Sequence, residues 1–585
     1  MINLIPGSSG DGWAFFDNLR SDANGVQRDL RPEIRQVTPA PDTVLQYQTL
    51  DLRIHVAFIG TLETPRILEA EPEPWDVGVQ GRFAAPNGRE LTVRGFLFGE
   101  ANSKPGVILY GLRFTPDMPG TWRYQIGIQG ARAWAWQEPR RFACRHANDS
   151  RGRIRIDPTD PTNFSFSNTR TPYYPMGQNI GWADDYEPYM RRIQDYAGNY
   201  LRIWICPWNL PMEEPGLNGR FNLESADAID RIVQLADQYD VYLQLVLFNH
   251  TNMLGDWHRN PYNREIGGPC GDPREFWIAA AARQEFKRYL DYLTARWGHS
   301  PRLFAWELCN EADLAPAYDR KHIISWHREM SDHLRANAPY ENLITASAHD
   351  YRKFRKIWKH ANIDFLQAHW YEADLRSAFV NFETGFRRFA KPWFMAEFGR
   401  GWRAKTDQGD PQGRTLHQAL WLAWMSRSAG NAMPWWWDTH IEPNNLYSHF
   451  AALIRYDTGE DRRGADFRPI RQQLLRGQGR SVHLCGLATY HSFFGYVFDV
   501  GDVLAPNAER LQPLLERTKI LTIRDMMAGK YVYEVWDTYA GEVVQQERLN
   551  CAGSSLELKL PVSDRDFAIK LRRVETPSMR IKPTK

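Results

Sequence analysis

The sequence predicts an α/β protein in which a (β/α)8 TIM barrel is flanked by N-terminal and C-terminal β-sandwich domains. Three observations carry that reading. The chain has 585 residues, roughly four times the usual 150-residue domain and too long for one core. Its middle part, 165–478, holds eight short apolar runs, each followed by a loop and a helix-like stretch, which is the rhythm of a parallel barrel. The parts on either side alternate apolar and polar residues between turn signals, without helical periodicity, as sandwich strands do.

Residues 1–40 read as an N-terminal extension and 41–150 as the first sandwich. Leu50-Asp51-Leu52-Arg53-Ile54-His55-Val56 and Leu91-Thr92-Val93-Arg94 alternate, and Pro86-Asn87-Gly88 supplies a hairpin turn. The stretch FTPDMPGTWRYQIGI (114–128) ends in a strand. The eight barrel runs are 173–177, 200–206, 241–248, 303–308, 343–347, 365–369, 393–397 and 432–437. Helical stretches such as 226–239 and 285–297 alternate with them. No GxGxxG or GxxxxGK loop follows the first run, which argues against an open dinucleotide- or nucleotide-binding sheet. Residues 479–585 return to short strands, with Ala528-Gly529-Lys530 and Ala540-Gly541 as turns, and read as the second sandwich.

Composition narrows the function. Hydrophobic residues make up 43% and charged residues 24%, the balance of a folded soluble chain. A formal charge of +2 gives no bulk electrostatic reason to bind nucleic acid or an anionic membrane. No window of 18 consecutive apolar residues exists, which excludes a membrane-spanning helix. The N-terminus, MINLIPGSSGDGW, has no charged region followed by an apolar one, so the chain reads as cytoplasmic as written, or as secreted if a signal has been removed. The six cysteines form no CxxC pair and read as buried thiols. The 23 tryptophans are an excess, and a flat apolar face with one polar handle suits flat, partly apolar ligands.

The chemistry of a barrel sits at the C-terminal ends of its strands. Run two carries Arg202, run three ends at Asn249-His250, and run four ends Trp306-Glu307-Leu308-Cys309-Asn310-Glu311. Run six ends His369-Trp370-Tyr371, run seven Ala396-Glu397-Phe398-Gly399, and run eight Trp435-Trp436-Trp437-Asp438. Two of these ends offer a glutamate, and two carboxylates across a barrel mouth suit acetal hydrolysis. One must carry a proton for the leaving oxygen and the other must be ionised to attack the anomeric carbon. Glu397 is expected to be kept ionised by an arginine and a phenol, and Glu311 to be raised by a drier setting. Glu307 shares parity with Glu311 but lies deeper, as an interior partner of Arg202. Trp182, Trp208, Trp257 and Trp370, in loops at the strand ends, each read equally as core or as platforms for a sugar ring. His250 and His258 lack a third ligand at metal spacing, and no GxSxG exists, so neither a metal, a cofactor nor a serine nucleophile is expected.

The motifs WELCNE (306–311) and FMAEFG (394–399) resemble the retaining glycoside hydrolases of clan A, nearest to family 5 cellulases and mannanases. The resemblance implies Glu311 as acid/base and Glu397 as nucleophile. It implies substrate-binding or supporting roles for Arg202, His250, Asn310, His369 and Tyr371, with Tyr371 holding the nucleophile. A tryptophan flooring the subsite beside the scissile bond falls among Trp435, Trp436 and Trp437, with Trp437, nearest the strand end, preferred. Trp182 and Trp436 join the expected sugar-binding set. FTPDMPGTWRY resembles the domain of unknown function DUF5060, and the C-terminal part is similar to modules appended to such barrels. The implied activity is double-displacement hydrolysis of β-glycosidic bonds in a poly- or oligosaccharide, with the carbohydrate as the only partner expected. A binding barrel without turnover and a transglycosylase on the same site are the competing readings. Sugar identity, endo or exo action and oligomeric state are not legible.

Overall fold

The computed structural model describes residues 20–21, 27–28, 31–38, 40–59, 77–100, 107–130, 133–213, 220–315, 319–464, 466–477, 480–506 and 513–574. Most of the expected N-terminal extension, including 1–19, lies outside them. The first sheet begins inside the expected extension rather than at residue 41. Arg31–Val37 pairs antiparallel with Leu50–Ile59, followed in order by Val107–Phe114 and Phe96–Glu100. A second sheet runs Thr43–Leu45, Arg140–Arg145, Gly120–Gln129, Val79–Ala84, Glu90–Arg94. The expected hairpin at 86–88 is present, with Gly88 at φ +86°, where a side chain would be strained. Alternate residues of both sheets meet in one core that includes Leu52, Ile54, Leu112, Phe83, Trp122 and Ile126.

Residues 158–441 form a TIM barrel with mixed α/β content. Its parallel strands are β1 (Gly177–Asn179), β2 (Tyr200–Trp204), β3 (Tyr242–Val246), β4 (Leu303–Glu307), β5 (Leu343–Thr345, resumed at Ser347–Ala348), β6 (Leu366–Trp370) and β7 (Trp393–Phe398). Seven of the eight expected runs therefore hold a barrel strand, and two need correcting. The first run spans 173–177 in the sequence, but β1 starts at Gly177. Pro172–Tyr173 instead joins Ile154–Ile156 and Phe164–Phe166 in a small sheet that begins ahead of residue 165. Gly177 passes so close to β2 that a Cβ would lie 1.8 Å from the Tyr200 carbonyl. Run eight forms no regular strand. Pro434 has no N–H for a ladder, so the chain makes three bonds with β7, Met433 N to Met395 O (2.9 Å), Phe398 N to Met433 O (3.1 Å) and Trp435 N to Phe398 O (3.0 Å), and meets β1 through Asn179 N to Pro434 O (3.3 Å). A π-helical turn, Trp437–Ile441, follows.

The two ends of the barrel differ in chemistry. The small sheet and the first residues of the strands close the N-terminal end with aromatic rings: Phe164, Phe166, Tyr173, Tyr200, Tyr242, Phe304, Phe365 and Phe394. Higher up, the interior turns polar. Gln244 on β3 donates to Glu307 Oε2 at 2.6 Å and to Gln367 Oε1 at 2.9 Å, all three residues being buried.

The N-terminal sheets are joined to the barrel by a buried charge cluster. Arg113 donates to Asp230 through both Nη atoms at 2.6 and 2.8 Å, and Arg296 and the Trp297 indole donate to the same carboxylate. At the other end, a six-stranded sheet runs Arg468–Gly477, Arg480–Ala488, Ser492–Asp499, Phe567–Arg573, Gly529–Asp537, Glu542–Cys551, beside the pair Lys519–Arg524 and Ser555–Leu560. It starts eleven residues ahead of the expected boundary at 479. Its first strand is an edge rich in Arg and Gln, with the sparse apolar pattern that edge strands carry. All six cysteines are buried, and among the described residues no helix is long and apolar enough to cross a membrane.

Candidate active site

The site is assembled from strand ends that are neighbours in the ladder. Asn179 of β1 is level with Arg202 of β2, and His369 of β6 is level with Glu397 of β7. A register shift between Ala368 and His369 inserts one extra β7 residue there, which turns Glu397 inward; such bulges re-aim side chains beside active sites.

Arg202 organises the floor. Wholly buried, it donates from Nε and Nη2 to the two oxygens of Glu307 (2.7 and 2.8 Å), making the pair that strand parity predicted. Its Nη1 donates to Glu397 Oε1 at 2.6 Å and to Asn179 Oδ1 at 2.9 Å, and its Nη2 also donates to Asn310 Oδ1 at 2.7 Å. Burial opposes the guanidinium charge, but Glu307 and Glu397 hold it firmly protonated. A forked cation between two carboxylates thus fixes Glu397 in place. On its other side the Tyr371 hydroxyl donates to Glu397 Oε2 at 2.7 Å. Burial, with the charges of Glu397 and Glu311, pushes that phenol well above its ordinary range, so Tyr371 keeps its proton for this bond.

Glu311 is held differently. The chain leaves β4 through Leu308, Cys309 and Asn310 and reaches Glu311 in the left-handed region, at φ +46° and ψ +44°. A non-glycine residue there costs on the order of 1–3 kcal/mol, a form of strain that clusters at functional sites. Asn310 N donates to Phe248 O and His250 N to Asn310 O, tying this turn to the end of β3. The buried Glu311 carboxylate is ringed by three imidazoles. His369 Nδ1 lies 2.7 Å from Oε1, His250 Nδ1 3.6 Å from Oε2 and His349 Nδ1 3.7 Å from Oε1.

The expectation that a dry setting raises Glu311 is overturned. Burial does push the carboxyl up, but the charge and hydrogen bond of His369, with the His349 and His250 imidazoles close by, outweigh it and draw it below the usual carboxylate range. His369 Nδ1 is also 3.2 Å from Glu397 Oε2. It therefore bridges the two glutamates, and donor atoms of Glu311, His369 and Glu397 all lie within 4.8 Å of one another. The Arg202 guanidinium already supplies the positive charge beside this group.

The structure thus brings Glu311, Glu397, Arg202, His250, Asn310, His369 and Tyr371 into one cluster. It places the tryptophans less simply. Trp182 meets Trp437 (5.0 Å), Trp208 (5.4 Å) and Trp435 (5.7 Å) edge to face. Gly181 leaves room for the Trp437 and Trp435 rings, which a Cβ would strike. Trp437, preferred from sequence as the floor of the sugar site, is only 1% exposed, with its ring against Trp182 and Trp435. Trp208, at 37%, presents a far more open face. Trp436 is half-buried, its indole donating to Gly401 O at 3.3 Å.

Sequence reasoning missed three members. Asn179 and Ser347 brace the cluster; the Ser347 hydroxyl donates to Glu307 Oε1 at 2.5 Å and lies 3.0 Å from Asn310 Oδ1. His349 follows β5 and stands beside Glu311. Each was an unremarked small or polar residue at a strand end, and end position was the signal that could have flagged it.

Two carboxylates facing across a barrel mouth suit the hydrolysis of a glycosidic bond. Residues 158–441 match the family described as Cellulase (glycosyl hydrolase family 5), and residues 44–129 match the domain of unknown function DUF5060. It is 30% identical over 118 residues to mannan endo-1,4-beta-mannosidase A of Podospora anserina, covering 20% of this chain and 30% of that one. It is 23% identical over 287 residues to mannan endo-1,4-beta-mannosidase 5 of Arabidopsis thaliana, covering 39% and 65%. The chain thus spans under two thirds of the length of these curated relatives. A crystal structure of a candidate glycoside hydrolase from Bacteroides vulgatus superposes with a TM-score of 0.59 at 13% identity, covering 91% of this chain and all of that one. At that identity the likeness is one of fold.

Proposed function

We propose that the protein hydrolyses β-glycosidic bonds of a poly- or oligosaccharide with retention of configuration, Glu397 acting as nucleophile and Glu311 as acid/base. The observation that carries this reading is the spacing of the two glutamates, whose nearest donor oxygens lie within 4.8 Å. Retaining sites hold the carboxyl groups about 5–5.5 Å apart, whereas inverting sites need about 6.5–9.5 Å to admit a water.

In the first step Glu397 attacks the anomeric carbon while a proton passes from Glu311 to the leaving oxygen and the C–O bond breaks. Arg202 and Tyr371 hold the attacking carboxylate in line. In the second step Glu311, now a carboxylate, takes a proton from water; the water oxygen attacks the glycosyl ester and frees Glu397. Asn310 and His250 border the sugar, with Trp182, Trp436 and Trp208 as the aromatic wall. The likeness to two mannan endo-1,4-beta-mannosidases makes β-1,4-linked backbones the first substrates to try. We read the flanking sheets as two sandwiches, over 31–145 and 468–573, that border the barrel.

Proton NMR of the first-formed product from an aryl β-glycoside tests the reading. Release of the β-anomer before mutarotation is expected, and first release of the α-anomer would overturn retention.

A further inference from the structure

We propose that His349 is a positioning residue that stores the proton Glu311 uses as acid, a role that rests on the reading of Glu311 as acid/base. Three imidazoles surround the Glu311 carboxylate, and they are not equivalent. The His369 side chain is 0% exposed and its Nδ1 is engaged by both glutamates. The His250 side chain is 16% exposed, and its Nδ1 lies 3.4 Å from the Asn310 amide. The His349 side chain is 49% exposed. It is the most open of the three, with the carboxylate on one side and bulk water on the other. Its Nδ1 is 3.7 Å from Glu311 Oε1, a gap that a small rotation of a half-exposed ring closes.

The segment carrying His349 is fixed for this purpose. The backbone N–H groups of His349 and Asp350 donate to the two oxygens of buried Asp313 at 3.1 and 2.9 Å. Asp313 lies in the turn directly after Glu311. One carboxylate thereby locks the end of β5 to the turn that presents the acid/base.

The groups facing the His349 ring are Glu311 and Asp313 from the turn after β4, and Lys353 from its own loop. The Glu311 carboxylate beside the ring favours the imidazolium, and Asp313 adds to it; burial and Lys353 oppose it, and the net effect raises the ring above its ordinary value. We place the stored proton on His349, the imidazole most open to water, with Glu311 a carboxylate in the free protein. An entering sugar displaces water, which makes an ion in the cleft costlier. The proton crosses from Nδ1 to Oε1, leaving a neutral ring and a neutral acid, with no change in total charge. Glu311 spends that proton on the leaving oxygen, regains one from the attacking water, and returns it to His349 as product leaves.

The test compares the wild type with His349→Gln and His349→Ala on a 2,4-dinitrophenyl β-glycoside, whose leaving group needs no proton, and on an unactivated oligosaccharide. For His349→Gln, kcat/KM on the oligosaccharide should fall about tenfold above pH 7. The loss should lie in kcat, with KM unchanged, and should shrink below about twofold at acid pH and on the dinitrophenyl substrate. Free imidazole should restore His349→Ala. A profile that superposes on the wild type would overturn the proposal. So would a loss that is equal at every pH and for both leaving groups, since that is what a structural role gives. A wild type that hydrolyses neither substrate would overturn the reading of Glu311 itself, an outcome separable because the parent protein is then silent too.

Discussion

The two glutamates of the cleft are held by opposite devices. Glu397 is fixed by groups that do not change charge near neutral pH, a guanidinium at 2.6 Å and a phenol at 2.7 Å. Glu311 is surrounded by three imidazoles within 3.7 Å. The backbone repeats the contrast: Glu397 sits on a regular strand, whereas Glu311 sits on a left-handed residue beyond one. A nucleophile needs one ionisation state throughout, and an acid/base must pass between two. That contrast supports the roles proposed for the two glutamates.

Removing Glu397 should do most to break this contrast. Glu397→Gln is expected to lower kcat/KM by more than about 10⁴-fold, at every pH and for every leaving group, in steady-state assays. Glu311→Gln should cost about 10²–10⁴-fold on unactivated glycosides, far less in the first step on a dinitrophenyl glycoside. Burst kinetics on that substrate should show fast release of dinitrophenol followed by slow turnover. Tyr371→Phe removes one charge-assisted hydrogen bond to Glu397, worth about 1.5–3 kcal/mol. It should lower kcat about 10–100-fold while leaving KM near its original value.

The smallest effect on activity should come from the cluster that joins the N-terminal sheets to the barrel. Burial pushes the Asp230 carboxyl up, but Arg113 and Arg296 outweigh it and bring it down to about 2, from an ordinary 3.8. A depressed carboxylate stabilises the fold above its unfolded value and loses that contribution as pH falls through the folded one. About 2 kcal/mol should therefore be lost between roughly pH 4 and pH 2. Arg113→Ala should reduce that acid-dependent loss and lower the melting temperature by a few degrees, with kcat/KM unchanged at neutral pH. Thermal melts across that pH range check it.

Much of this was legible in the sequence, because barrels place their chemistry by strand position. The ends of runs two, four, six and seven delivered Arg202, Glu311, His369, Tyr371 and Glu397, and parity alone separated Glu307 from Glu311. What stayed hidden depends on contacts across the ring. Ser347, Asn179 and His349 lie 36, 132 and 38 residues from Glu311 along the chain, and nothing local marks a serine or a histidine as facing a carboxylate. The ionisation of Glu311 was misjudged for the same reason: burial can be guessed from a strand end, whereas the three imidazoles come from the ends of β3, β5 and β6. The eighth run reads as a strand in its apolar residues, yet Pro434 denies it a ladder. Trp437 has the composition of a sugar platform, but the rings of Trp182 and Trp435 cover it.

The central claim, that Glu397 forms a covalent bond to the sugar, is tested most directly by trapping. The protein is incubated with a 2-deoxy-2-fluoro β-glycoside bearing a dinitrophenyl leaving group, digested, and its peptides weighed and sequenced. One fluoroglycosyl group on Glu397 is expected. A fully inactivated protein with its label on any other residue, or turnover of the parent substrate with no label at all, would contradict the account.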